Sequence, residues 1–182
     1  MLPSDVNWLA MYNKILALPP RELKEQQAQI LGNFPSSYHY SKRMAEQLLL
    51  LKNSKSDLKL SFIRPSIVAT AANEPLPGWT DSTGLLQGAG LLVGLGIFRD
   101  VMGNPSHIAD IVPVDFVARQ ILVSVPFMCQ YQLPLFVSHA STSSLNPTTW
   151  QQFFDSCTTY QNDFPYEKRA GPAALTMHRS VK

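Results

Sequence analysis

The sequence predicts an α/β domain with parallel strands, because segments with helical character alternate with short apolar segments that suit β-strands. Residues 36–51 combine two serines that can cap a helix with Met, Ala, Glu, Gln and Leu, which have high helix propensity. A polar turn follows, and residues 58–63 then alternate as a strand does. Further along, the pattern predicts a short apolar strand over 108–114, a helix from Val114 to about Val125 and a last strand over 135–139.

The composition is that of a globular chain that can bury a core. The 182 residues are 45% hydrophobic, which suits one domain. The formal net charge is only +2 and 15% of residues are charged, so no basic stripe indicates nucleic acid as a partner. The longest apolar stretch, 84–98, is too short and glycine-rich for a spanning helix, and residues 1–5 do not resemble a secretory signal. Cys129 and Cys157 lack Cys-x-x-Cys or His ligand spacing, so we expect neither a disulfide framework nor a metal site.

Two helices are predicted before residue 36. Apolar residues recur near helical spacing over 5–18, and Ser4 or Asp5 can cap this first helix. Two prolines end it, and Pro20 can open a second, more polar helix over 21–31. We expect that helix to stop at Gly32.

Tyr38 and Lys42 are the candidate catalytic residues. They are four residues apart on the helix predicted over 36–51, so their side chains share one face. A nearby ammonium stabilises a phenolate, and Tyr38 could then act as a general acid to a carbonyl oxygen that receives a hydride. For a bare Tyr-x-x-x-Lys pattern, a half-buried ring beside a solvated charge is the more common explanation.

The second half of the chain adds loop and cap signals. Residues 70–84 contain prolines, glycine and Trp79, which suits either a wall of an apolar site or a simple loop anchor. The glycines of 88–94 follow a loop rather than a strand, so they indicate close packing in a loop-to-helix segment rather than a pyrophosphate site. Asp115 and Asn146 are predicted to cap the last two helices.

Four further segments give Tyr38 and Lys42 a context. They are Ile63–Val68, Pro77–Asp81, Ala109–Asp115 and Leu145–Trp150. In this order and spacing, they closely resemble the fatty acyl-CoA reductase branch of the extended short-chain dehydrogenase/reductases. The similarity runs from about Asp5 to about Pro172, and the combination is far more specific than any single motif.

The resemblance implies the C-terminal part of a Rossmann-like, doubly wound parallel sheet. It implies that the N-terminal dinucleotide-binding strands, with their Gly-x-x-Gly-x-x-Gly turn, are lacking from this chain. Residues 1–34 would be a helical insert that precedes the catalytic helix. Residues 35–160 would be the C-terminal half of the reductase domain, and 161–182 the start of a linker to a further domain.

The resemblance also implies an activity, namely NADPH-dependent reduction of long-chain acyl-CoA to fatty alcohol. Tyr38 would protonate the developing alkoxide, and Lys42 would bind the nicotinamide ribose. Pro65, Ser66, Ile67 and Val68 would pass beside the nicotinamide, where backbone groups hold its carboxamide, and would line the same cleft as the Tyr38–Lys42 pair. Family members are associated with peroxisomal or endoplasmic reticulum membranes, but the sequence indicates no compartment.

The alternative is a truncated or divergent fragment of that family that is not catalytic by itself. It would have a structural role or require a partner that supplies the N-terminal half. The missing pyrophosphate turn favours this alternative.

Overall fold

The computed structural model describes residues 6–179, and in that part of the chain helices and strands alternate as an α/β fold. The helices are α1 (Trp8–Ala17), α2 (Pro20–Glu25), α3 (Gln27–Leu31), α4 (Ser37–Asn53), α5 (Leu85–Gly94), α6 (Val114–Gln130) and α7 (Trp150–Asp163). The strands are β1 (Leu60–Pro65), β2 (Ile67–Ala69), β3 (Asp100–Met102), β4 (Ile111–Pro113), β5 (Leu135–Ala140) and β6 (Thr176–His178). The chain divides into two compact units. The first unit runs to Phe62 and includes Leu133–Leu135; the second comprises Ile63–Gln132 and the chain from Phe136 onward.

The first unit is built on four helices around an aromatic core. Trp8, Tyr40 and Met44 are buried at its centre. Phe34 completes an aromatic cluster, with its ring centroid 6.5 Å from Trp8 and 5.2 Å from Tyr40, both in edge-to-face geometry that aromatic pairs prefer. The core therefore joins the start of α1 to the first two turns of α4.

The ends of these helices differ in part from the sequence prediction. Asn7 caps α1, because its side chain accepts a hydrogen bond from the Ala10 N–H; the predicted caps, Ser4 and Asp5, lie outside the described residues. The predicted second helix is two helices that meet at Gln26. It stops as predicted at Gly32, whose positive φ of 53° suits glycine.

In the second unit, the chain at Ser66 and Ile67 runs between two neighbours. The Ser66 N–H donates to the Ala140 C=O at the end of β5, and the Ile67 N–H donates to the Asp110 C=O just before β4. The β2–β4 pair is parallel and begins with Ile67 opposite Ile111. The predicted α/β class with parallel strands is therefore confirmed.

The second unit also contains the parallel pair β3–β6, which was not predicted from the sequence. Val101 lies opposite Met177 in this ladder. Each strand has only three residues, and so short a segment shows too little alternation to be recognised from a sequence.

Three helix predictions in the second unit were wrong at their ends. Asp115 lies inside the first turn of α6, and Pro113 is the residue before that helix. The helix continues through Pro126 to Gln130, since a proline removes only one helical hydrogen bond and Met128 beyond it is buried. Helix α7 is capped by Thr149 in a capping box with Gln152, rather than by Asn146.

Candidate functional site

Tyr38 and Lys42 lie together on the first two turns of α4. The Lys42 Nζ atom is 5.5 Å from the centroid of the Tyr38 ring, within cation–π range. Tyr38 is 64% exposed. The four-residue spacing places both side chains on one accessible face, as the sequence predicts, and the ammonium lies over the ring.

The capped start of α4 positions Tyr38. The Ser36 Oγ atom accepts from the His39 N–H and lies 2.8 Å from His39 Nδ1. The His39 and Tyr38 rings are in edge-to-face contact, with their centroids 5.7 Å apart. The Tyr38 ring therefore has His39 and Lys42 as neighbours. His39 was not among the residues predicted from the sequence, although its place three residues after the N-cap Ser36 is a signal for the Ser36–His39 contact.

Pro65–Val68, the second predicted group, belongs to the second unit and passes through its sheet. The N–H groups of Ser66 and Ile67 are engaged with neighbouring strands, and Pro65 has none. Val68 lines a small cavity of about 180 Å³ together with Trp79. The Ser66 hydroxyl is buried and has no hydrogen-bond partner among the described residues.

Asp110 lies next to this segment and fastens the start of β4 to the loop after β5. Its carboxylate accepts hydrogen bonds from the hydroxyls of Ser141, at 2.6 Å, and Ser143. These two bonds hold the pKa of Asp110 below its usual range, and the nearby Ser66 hydroxyl adds a smaller effect without a well-formed hydrogen bond. These hydrogen bonds indicate a structural role for Asp110.

Asp115 holds the loop after β2 onto α6. Its buried carboxylate accepts from the backbone N–H groups of Ala72, Asn73 and Glu74. These hydrogen bonds, with that of Ala72 foremost, keep the pKa of Asp115 below its usual range. The role is structural, but it is that of a tether between distant segments rather than of a helix cap.

The glycine pattern at 88–94 lies inside α5 rather than at a turn between a strand and a helix. A Cβ atom at Gly88 would lie 2.8 Å from the Thr83 C=O, and one at Gly94 would meet the Gln161 side chain at 2.5 Å. Close packing, as the sequence predicts, explains these two glycines.

Within 6–179, no three His, Cys, Asp or Glu side chains are grouped so as to hold a metal ion. No helix in that range is long and apolar enough to cross a membrane.

Comparison with known proteins identifies the family. A family model described as Male sterility protein (NAD_binding_4) matches residues 8–121. The chain belongs to this family. Tyr38, Lys42 and Pro65–Val68 all lie within the matched segment.

Curated relatives of this family member carry the name fatty acyl-CoA reductase. The probable fatty acyl-CoA reductase 4 of Arabidopsis thaliana is 27% identical over 83% of this chain and 30% of its own length. Fatty acyl-CoA reductase 2 of Mus musculus is 28% identical over 70% of this chain and 25% of its own. Fatty acyl-CoA reductase 1 of Homo sapiens is 32% identical over 66% of this chain and 23% of its own length. The chain thus spans about a quarter to a third of the length of these relatives.

Among solved structures, a UDP-glucose 4-epimerase from Thermotoga maritima is similar, with a TM-score of 0.48 and 20% identity. The match covers 76% of this chain and 43% of the epimerase chain.

Proposed function

We propose that this chain carries the proton-donating part of an NADPH-dependent reductase that converts long-chain acyl-CoA to fatty alcohol. The observation that supports this most is the Tyr38–Lys42 pair on the capped start of α4, inside the segment that the family model matches. The relatives named fatty acyl-CoA reductase support the substrate class.

In this proposal, Tyr38 is the general acid. A carbonyl carbon that accepts a hydride leaves a developing negative charge on its oxygen, and the Tyr38 hydroxyl donates its proton to that oxygen. The Lys42 ammonium stabilises the phenolate that remains. His39 packs against the Tyr38 ring and restricts its orientation.

The cofactor in this proposal is a nicotinamide, which when bound would supply one hydride. Reduction of a thioester to an alcohol takes two hydrides, so two cofactor molecules would be used in turn: the first reduction would give the aldehyde and release CoA, and the second would give the alcohol. Lys42 is exposed and would bind the ribose hydroxyls. Pro65–Val68 of the second unit stays the segment that we assign to the carboxamide; its Ser66 hydroxyl is buried and has no hydrogen-bond partner among the described residues. The preference for NADPH over NADH belongs to this proposal.

The test is a chimera in which this chain replaces the matching segment of the Arabidopsis relative. We expect palmitoyl-CoA-dependent NADPH oxidation and formation of the alcohol, measured by gas chromatography. Tyr38→Phe removes the transferable proton but keeps the ring, so turnover should fall on the order of 10²-fold or more.

The matched control is Tyr160→Phe, at another exposed tyrosine that lies on α7. It should leave turnover unchanged. If Tyr38→Phe behaved like this control, Tyr38 would have no part in the mechanism.

A non-catalytic role is the second candidate. It is favoured by the position of the glycine pattern inside α5, because a pyrophosphate site needs a glycine turn at the start of a helix. A chimera that is folded by circular dichroism but does not oxidise NADPH would support this candidate.

A further inference from the structure

The first unit contains an open, apolar cavity of about 500 Å³ that is lined by residues of α1–α4. Ile15, Ile30, Tyr40 and Met44 contribute to its lining, and all four belong to or pack against the core of the unit. The remaining lining side chains come mostly from the exposed faces of the same helices; they are Tyr12, Leu16, Pro20, Leu23, Lys24, Gln27, Leu31, Ser37 and Ser41. The cavity is therefore an apolar, open space between α1, α2, α3 and the start of α4, the helix that carries Tyr38.

The cavity runs along the turns of α4 that carry the candidate catalytic pair. Ser37, Tyr40, Ser41 and Met44 line it, at the spacing that puts residues on one helical face. Tyr38 and Lys42 each follow a lining residue directly in sequence, so they lie on the neighbouring strip of the same turns. An occupant of the cavity would lie alongside those turns.

The lining chemistry suits an apolar chain that has an anionic end. Lys24 is the charged residue of the lining, and it is exposed. An exposed ammonium attracts a phosphate or carboxylate without closing the groove. Tyr40 also lines the cavity, and its hydroxyl is buried with no hydrogen-bond partner in the part of the chain that the structure describes.

The size favours a small molecule over a protein segment. The volume lies within the range of roughly 300–1,000 Å³ that is typical of ligand pockets. A stable protein–protein interface buries roughly 1,200–2,000 Å² in total, which a groove of this size does not offer.

We propose that this cavity binds the acyl chain of the acyl-CoA substrate, with Lys24 facing its anionic portion. This proposal rests on the proposed function, since it assigns a place to that substrate's chain. The second unit contains another apolar cavity, of about 350 Å³, which Leu86, Ala89 and Trp150 help to line. That cavity is the competing location.

The first experiment measures binding to the full chain without any cofactor. Palmitoyl-CoA, kept below its critical micelle concentration, should bind at least about 100-fold more tightly than acetyl-CoA, because each buried methylene adds affinity. A palmitoyl-CoA with a diazirine at the end of its acyl chain should crosslink to peptides within residues 12–44. Crosslinks within residues 86–103 or 150–177 would overturn the proposal, as would equal affinity for both ligands.

The second experiment uses a matched pair of variants on α1. Leu16→Glu places a carboxylate in the lining, whereas Leu9→Glu makes the same change at a leucine that lines neither apolar cavity. Leu16 is 67% exposed and Leu9 50%, so both variants should fold. We expect Leu16→Glu to weaken palmitoyl-CoA binding on the order of tenfold and Leu9→Glu to leave it unchanged. Equal behaviour of the two variants would overturn the proposal.

The two proposals fail in different ways. If palmitoyl-CoA binds in the cavity but the chimera does not turn over, the proposed function fails while the binding site stands. If the chimera turns over and Leu16→Glu leaves its KM for palmitoyl-CoA unchanged, the site fails and the function stands.

Discussion

Two tyrosines on the first turns of α4 have opposite surroundings, although a single residue separates them. Tyr38 is 64% exposed beside Lys42, whereas Tyr40 is 8% exposed in the core with Trp8 and Met44. Residues two apart on a helix point in nearly opposite directions, so one turn supplies both a candidate catalytic group and a core residue. The burial of Tyr40 raises the pKa of its phenol, because the phenolate would be poorly solvated there.

Removing the Tyr40 hydroxyl should stabilise the protein. This hydroxyl is buried and has no hydrogen-bond partner among residues 6–179, so it is desolvated without compensation. We expect Tyr40→Phe to raise the free energy of unfolding by about 1 kcal/mol, measured by urea denaturation. Tyr160→Phe, at an exposed position, should change it little. A clear loss of stability in Tyr40→Phe would show that the hydroxyl does have a partner.

At the scale of elements, the ends of helices depend on single residues with specific backbone or hydrogen-bonding roles. Ser36, Thr149 and Gly32 each begin or end a helix. Gly96, just after α5, has a φ of +68°, and a Cβ atom there would lie 2.6 Å from the Gly171 C=O. This glycine allows the chain after α5 to pass close to the segment that precedes β6.

Alanine should therefore lower the stability of the protein at Gly96 and raise it at Gly90. Gly96→Ala meets both a positive φ and a backbone clash, so we expect a loss of roughly 1–3 kcal/mol in unfolding free energy. A Cβ atom at Gly90, inside α5, would meet nothing within 4 Å. Gly90→Ala should stabilise by about 0.5–1 kcal/mol, because alanine is the better helix former. Thermal unfolding of both variants tests this, and a neutral Gly96→Ala would contradict the close approach.

At the scale of the whole molecule, two carboxylates join segments that are far apart in sequence. Asp115 binds a loop 41 to 43 residues before it, and Asp110 binds serines 31 and 33 residues after it. Both contacts lie within the second unit and connect its sheet to its loops.

These contacts predict acid sensitivity. Folding lowers the pKa of each carboxyl. Each therefore stabilises the protein at pH values above the pKa of Asp in the unfolded chain, which is about 3.9. That contribution should disappear as the pH falls through the lower, folded-state pKa. As the pH falls below about 3.9, the unfolding free energy of the wild type should decrease. Asp115→Asn and Asp110→Asn should each make that decrease smaller, which urea denaturation at a series of pH values would measure. Asp81→Asn, at an exposed loop position, should keep the wild-type pH dependence.

The sequence by itself determined the features that depend on nearby residues. The Ser36 cap and the four-residue spacing of Tyr38 and Lys42 act within one or two helical turns, and local patterns encode such contacts directly. The α/β class followed from the alternation of helical and extended segments, and the family resemblance from the order of several motifs.

Only the tertiary structure decided the features whose partners are distant in sequence. Strands β3 and β6 are too short to recognise alone and form because they pair with each other. Asp115 is read from its local sequence as a helix cap, whereas its N–H donors belong to a loop some forty residues away. The cavity beside Tyr40 exists because four helices come together, and no single helix sequence encodes the space between them. Such contacts are selected by packing of the folded chain, which local spacing does not encode.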